Sequence, residues 1–168
     1  MRHFHKGFSM LEVLITILLV AIGLLGMMAM QGRAIQYTAD SLNRTQAVLL
    51  ANELIEIIRA TPTSATDDGS FYFDGSLPST ESNCLELSSN SLVEDQINCW
   101  GNKVTRLLPG ANTTGVTSQF RACLSKTPEN CDGGAALEVQ IAWQGTGDEC
   151  SNDIDDPQIC TYRVRTQI

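Results

Sequence analysis

Glu12 is the residue of this sequence with the sharpest physical problem to solve. It stands in Gly7-Phe8-Ser9-Met10-Leu11-Glu12-Val13, and about 18 uncharged residues follow it, from Val13 to Met30. With Phe8 to Leu11 this run meets the lower length limit of a helix that crosses a bilayer. An ionised carboxylate at the edge of such a helix costs about 2–3 kcal/mol or more once it is buried in hydrocarbon. Two placements relieve that cost. Glu12 either sits near the interface and reaches headgroup water, or pairs with a positive group on another chain inside an assembly. There, desolvated opposite charges attract strongly and an unpaired one is heavily penalised. The residues alone leave both open.

The second group with chemistry is the set Cys84, Cys99, Cys123, Cys131, Cys150 and Cys160, all outside the apolar run. An even number of cysteines beside a membrane-targeting segment suits an oxidising compartment and up to three disulfides. Fifteen pairings are possible and the sequence does not choose among them; pairing of nearest neighbours, Cys84–Cys99, Cys123–Cys131 and Cys150–Cys160, is the expectation. No C-x-x-C pair and no histidine partner points to zinc.

The order of segments at the start is not that of a secretory signal. Arg2 and Lys6 supply a basic start, but the small residue, Gly7, precedes the apolar core instead of following it. A cut after Gly7 would leave the hydrophobic segment on the mature chain. It would also remove both histidines, His3 and His5, and with them Ser-His-Asp or Cys-His catalysis. No other catalytic constellation is visible, so an enzyme is not expected. The formal charge of −8 falls to about −10 when Arg2 and Lys6 leave. Without clustered Lys and Arg, nucleic-acid binding by phosphate neutralisation is excluded.

Lys6-Gly7-Phe8-Ser9-Met10-Leu11-Glu12-Val13-Leu14 resembles the class III signal of type IV pilins and pseudopilins. The resemblance implies cleavage between Gly7 and Phe8 by a prepilin peptidase, N-methylation of Phe8, and attraction of Glu12 to the α-amine of a neighbouring subunit during filament assembly. Ala21-Ile22-Gly23-Leu24-Leu25-Gly26, Gln31-Gly32-Arg33-Ala34 and Gln46-Ala47-Val48-Leu49-Leu50-Ala51 extend the likeness to the minor-pilin group called PilV, over about the first sixty residues. It implies residues 1–7 as leader, 8–32 as transmembrane and assembly helix, and 33–168 as a periplasmic globular domain that includes the amphipathic half of the helix. Implied partners are other minor pilins, the major pilin, a tip adhesin, prepilin peptidase and the inner membrane, with no cofactor or metal. The chain would start in the inner membrane and end in the pilus, near its tip. A pseudopilin of type II secretion carries the same signal and is the alternative; a membrane-anchored periplasmic enzyme is disfavoured.

The elements that must position these groups follow from periodicity. Ile35, Ala39, Leu42, Leu49, Leu50, Leu54 and Ile57 recur at helical steps, and no proline occurs before Pro62, so one helix is expected from about Ser9 to Ala60. Thr61 to Ser64 should end it, with a turn at Asp67-Asp68-Gly69. Phe71-Tyr72-Phe73 reads as a strand or loop lining that packs in the core. Ser76 to Asn98 reads as loop, with helical character around 91–97, and Pro109-Gly110 marks a turn. Gly115 to Leu124 reads as a strand, and Leu137-Glu138-Val139-Gln140-Ile141-Ala142-Trp143 as the cleanest one, with its odd-numbered residues against the helix. Tyr162, Val164 and Ile168, interleaved with Arg163, Arg165 and Gln167, give its antiparallel partner. The connection between them carries Asp148, Glu149, Asp153, Asp155 and Asp156, oxygen ligands that could bind calcium; the spacing is not that of an EF-hand loop, and a solvated acidic loop is the expectation. The expected fold is therefore α+β and type IV pilin-like: a long N-terminal helix, membrane-spanning and then amphipathic, packed on a small antiparallel sheet with disulfide-stapled loops.

Overall fold

The computed structural model describes residues 7–60, 71–78, 84, 93–145, 150 and 158–167. Helix α1 is Met10–Ala60. It is followed by strand β1, Phe73–Asp74, helix α2, Val93–Leu107, and a single helical turn, α3, Thr114–Thr117. Three longer strands complete the order: β2, Arg121–Ser125, β3, Ala136–Gln144, and β4, Ile159–Gln167. The chain divides into two compact units, Met1–Ala39 and Asp40–Ile168.

In the first unit every described residue is exposed. Its helix is held by its own backbone hydrogen bonds, with no tertiary packing behind them among the described residues. In the second unit the helix becomes one-sided: Ala47, Leu50, Ala51, Leu54, Ile55 and Ile58 are buried, at the three- and four-residue steps that place side chains on one face. They join one core with Phe71, Ile97, Trp100, Val104, Val116, Phe120 and the β3 residues Leu137, Val139, Ile141 and Trp143. The Trp100 indole N–H donates to the Leu50 carbonyl at 3.0 Å, and Lys103 Nζ meets the Glu53 carboxylate at 2.7 Å, so α2 is fastened to α1 both inside and at the rim.

The sheet is a simple antiparallel meander in the order β1-β2-β3-β4. β3 and β4 pair along nine residues, with Val139 opposite Val164 and Trp143 opposite Cys160. This is a long N-terminal apolar helix packed on a small four-stranded antiparallel sheet with three disulfides, the type IV pilin-like arrangement expected from the sequence.

Three local expectations change. The helical character expected around 91–97 is found, and it extends further than expected: α2 runs from Val93 to Leu107, because Ile97, Trp100, Gly101, Val104 and Leu108 fall at helical spacing and are all buried. The strand expected over Gly115 to Leu124 is shorter and starts at Arg121. Val116 and Phe120 are both buried and four apart, and the Val116 and Thr117 N–H groups close onto the Thr113 carbonyl at 3.0 and 2.8 Å, making α3. Finally, β3 is buried on both faces from Leu137 to Trp143, where alternation predicts one wet face. The predicted turns at 61–64 and 67–69, the acidic group at 148–156 and Ile168 lie outside the described residues.

Candidate assembly segment

The residues around Gly7 form a short non-helical lead-in to α1. Gly7, Phe8 and Ser9 are outside the helix, and the Ser9 carbonyl accepts the N–H groups of Glu12 and Val13 at 3.0 and 3.3 Å, which starts the first turn. No other atom comes within 4 Å of where a Gly7 side chain would sit, and Phe8 is 81% exposed. Gly7 and Phe8 are thus exposed and non-helical, and Phe8 lies two residues before the helix begins at Met10.

Glu12 stands in the first turn of α1, where the positive end of the helix dipole favours a negative charge. Ser9 and Glu12 also have the spacing of a capping box. Yet neither side chain has a hydrogen bond or ion pair among the described residues, so the first turn leaves the Glu12 carboxylate uncommitted. Above it the helix is apolar for long enough to cross a membrane, and none of that stretch is buried. Gly23, Gly26 and Gly32 touch nothing where a Cβ would stand, so nothing among the described residues requires glycine there.

The six cysteines form three disulfides in the other unit. Cys84–Cys99 ties residue 84 to α2, Cys123–Cys131 fastens the turn after β2 back onto β2, and Cys150–Cys160 anchors residue 150 to β4. Gly145 lies against the last of these. A side chain at that position would run into the sulfurs of Cys150 and Cys160, while the Gly145 N–H donates to the Gln158 carbonyl at 2.8 Å and fixes the backbone there.

One constellation escaped the sequence reading. On the face of the sheet turned away from α1, Glu138 is 0% exposed. Its carboxylate accepts the Glu129 N–H at 2.9 and 3.2 Å and lies 3.4 Å from Arg165 Nε and 3.8 Å from Arg163 Nε. Arg163 in turn donates through Nε to Gln140 Oε1 at 2.9 Å and through Nη1 to Glu129 Oε1 at 2.6 Å. The Glu129 carbonyl accepts from Arg121, which is paired with Asp74 at 2.8 Å. Glu129 holds a φ of 74°, unusual for a residue with a side chain, with its N–H, carbonyl and carboxylate all engaged. Beside it Asp132 accepts the Lys126 N–H and, at 3.1 Å, the Thr127 hydroxyl; these bonds, led by the Lys126 amide, hold its carboxyl below the ordinary value of 3.8. Burial pushes the Tyr72 hydroxyl up from its ordinary value of 10.0. No group of three or more potential metal ligands occurs among the described residues.

The long apolar helix, its exposed N-terminal lead-in and the disulfide-stapled sheet make a type IV pilin-like fold. Residues 2–28 match the family model described as the prokaryotic N-terminal methylation motif, and residues 29–99 match the model described as type IV pilin Tt1218 (Tt1218-like). The two matches are contiguous and together support a type IV pilin, a structural and not an enzymatic family. No curated protein and no solved structure matches the chain.

Proposed function

We propose that the chain is a minor pilin of the PilV type, which primes or takes part in type IV pilus assembly and so serves twitching motility and adhesion. Cleavage after Gly7 frees the amine of Phe8, which is then methylated, and the helix rests in the inner membrane with the globular unit in the periplasm. On extraction, Glu12 pairs with the amine of a neighbouring subunit and sets the axial register, while apolar helix surface is buried against other pilin helices. Partners on this reading are other minor pilins, the major pilin, a tip adhesin and, earlier, prepilin peptidase; the mature place is the filament near its tip.

The observation that carries the proposal is the bare first unit. An apolar helical stretch with no buried residue among those described, led by an uncommitted carboxylate and overlaid by the methylation motif, supports an element whose partners are other chains. The test is a clean deletion complemented by wild type or Glu12→Ala, scored for surface pili, twitching and exoprotein release. Loss of piliation that only wild type restores is expected. Normal piliation with failed secretion would transfer the chain to type II secretion, and intact mass of the mature chain tests the Gly7 cut and the Phe8 methyl group directly.

A further inference from the structure

All six cysteines are paired, and each is joined to its neighbour in the chain: Cys84 to Cys99, Cys123 to Cys131 and Cys150 to Cys160, at separations of 15, 8 and 10 residues. Of the fifteen ways to pair six cysteines, this is the one that joins neighbours throughout. The wrong neighbours, Cys99 with Cys123 and Cys131 with Cys150, stand further apart in the chain than any bonded pair, and shorter loops close at lower entropic cost.

The fold also keeps the bridges apart. Cys99 lies in α2, while Cys123 stands opposite Glu138 and Cys160 opposite Trp143. Directly opposed residues share a face of the sheet and successive β3 residues alternate between faces. Cys123 is therefore on the face turned away from α1 and Cys160 on the other; accordingly Cys150 and Cys160 belong to the core cluster and Cys123 does not. Once β2, β3 and β4 have paired, no bridge can form through the sheet, because a disulfide needs Cα atoms within about 7 Å and side chains turned toward each other. The middle bridge is set up by its own segment. The Gly133 N–H donates to the Leu124 carbonyl at 3.0 Å, the Asn130 N–H to the Thr127 carbonyl at 3.3 Å, and Asp132 accepts the Lys126 N–H and the Thr127 hydroxyl. These bonds use no residue of β3 or β4, so Cys131 can be brought to Cys123 before either strand is in place.

We propose that a dithiol–disulfide oxidase of the receiving compartment makes the three bridges in chain order as the chain emerges from the membrane, and that no disulfide isomerase acts on it. The proposal rests on the filament reading for one point, that the globular unit is exported. When Cys99 emerges, the one unpaired thiol ahead of it is Cys84; the same holds for Cys131 with Cys123 and for Cys160 with Cys150. In each turnover the thiolate of the first cysteine attacks the oxidase disulfide, one oxidase sulfur leaves as thiolate, and a mixed disulfide joins chain to enzyme. The thiolate of the second cysteine then attacks the chain sulfur of that mixed disulfide, closes the bridge and releases the oxidase as a dithiol. Two chain thiols lose two electrons and two protons, and the oxidase gains both.

The test uses the full chain in bacteria that hold both enzymes, lack the isomerase or lack the oxidase. The chain is pulse-labelled, acid-quenched, alkylated and mapped by mass spectrometry without reduction. Loss of the isomerase is expected to change the fully bridged fraction by less than about twofold, and loss of the oxidase to lower it at least about tenfold. Two variants, made in cells without the isomerase, read the order. Cys84→Ser leaves Cys99 waiting when Cys123 emerges, and should raise the Cys99–Cys123 bridge at least about fivefold over wild type. Cys160→Ser removes the last cysteine to emerge and should leave Cys84–Cys99 and Cys123–Cys131 as in wild type. Three results overturn the proposal and leave the filament reading standing: a larger fall without the isomerase, an undiminished bridged fraction without the oxidase, or a Cys84→Ser chain in which Cys123–Cys131 and Cys150–Cys160 form as in wild type. Six alkylated thiols in cells with both enzymes overturn export itself, and with it both readings.

Discussion

Replacing Glu138 by alanine takes a carboxylate from a fully buried position and leaves three donors around the gap, the Glu129 N–H and the Nε groups of Arg163 and Arg165. The amide is part-buried and loses its acceptor, which costs about 1–3 kcal/mol. Breaking a buried ion pair from one side costs about 3–5 kcal/mol. Here the arginine side chains are 28% and 32% exposed, so water recovers part of their solvation and their share falls to about 1–2 kcal/mol. The sum is a loss of about 3 kcal/mol, or a fall in Tm of about 10 °C for a unit of this size.

Glu138→Gln separates the terms. It retains an acceptor oxygen for the Glu129 N–H and the same volume, and loses only the charge, so it should cost about half as much as alanine. Thermal unfolding of the full chain in micelles, followed by near-ultraviolet circular dichroism from Trp100 and Trp143, reads both values. A cycle with Arg165→Gln should return a coupling energy of about 1 kcal/mol. Alanine and wild-type melting points within about 2 °C of each other would refute the network as a source of stability, and a glutamine variant as unstable as alanine would refute the partition.

Three further predictions follow from named contacts. Trp100→Phe should destabilise by about 1 kcal/mol more than Trp143→Phe, since Trp100 Nε1 donates to the Leu50 carbonyl while Trp143 Nε1 is buried without a partner among the described residues; equal losses in urea unfolding would refute this. Gly145→Ala should leave reactive thiols at Cys150 and Cys160 or lower stability by about 1–3 kcal/mol, and a fully oxidised variant that melts with wild type would contradict the packing. Asp132 ionises more readily folded than unfolded, so its contribution is complete above the unfolded value near 3.8 and is lost as pH falls through the lower folded value. Asp132→Asn should therefore flatten the fall of Tm below about pH 4, and unchanged slopes would refute the assignment.

What the sequence disclosed and what it hid divide along contact range. α1 was legible because its signals are local: an unbroken apolar run, helical spacing to Ile57 and no proline before Pro62. β3 and β4 were legible from alternation over seven or more residues. α2 carried the same kind of signal, but Asn98, Gly101 and Asn102 dilute it, and only packing of Ile97, Trp100 and Val104 against the core makes that helix worth forming. The Glu138 constellation was not legible. Arg121, Glu129, Glu138, Arg163 and Arg165 come from three strands and a turn, and on each strand the charged residue occupies the phase that alternation assigns to solvent. Its trace in the sequence was charge of both signs on one face of adjacent strands, readable only once the register is known.

The contrast between the two units bears on how the filament reading would work energetically. In the second unit side chains leave water for a packed core, and the gain scales with the apolar area removed. In the first unit, on that reading, the apolar helix passes from lipid to a bundle of other helices, and lipid tails are as apolar as leucine, so transfer alone supplies little drive. Packing contacts and polar pairing must then decide whether extraction is favourable. Glu12 is the acidic residue of that unit and the one its own helix leaves uncommitted. Glu12→Gln, which keeps shape and hydrogen-bonding capacity but removes the charge, should therefore lower incorporation into filaments sharply while the membrane-held pool and the melting of the globular unit stay as in wild type. Normal incorporation of that variant would mean that packing along the helix suffices and that the carboxylate is not what sets the register.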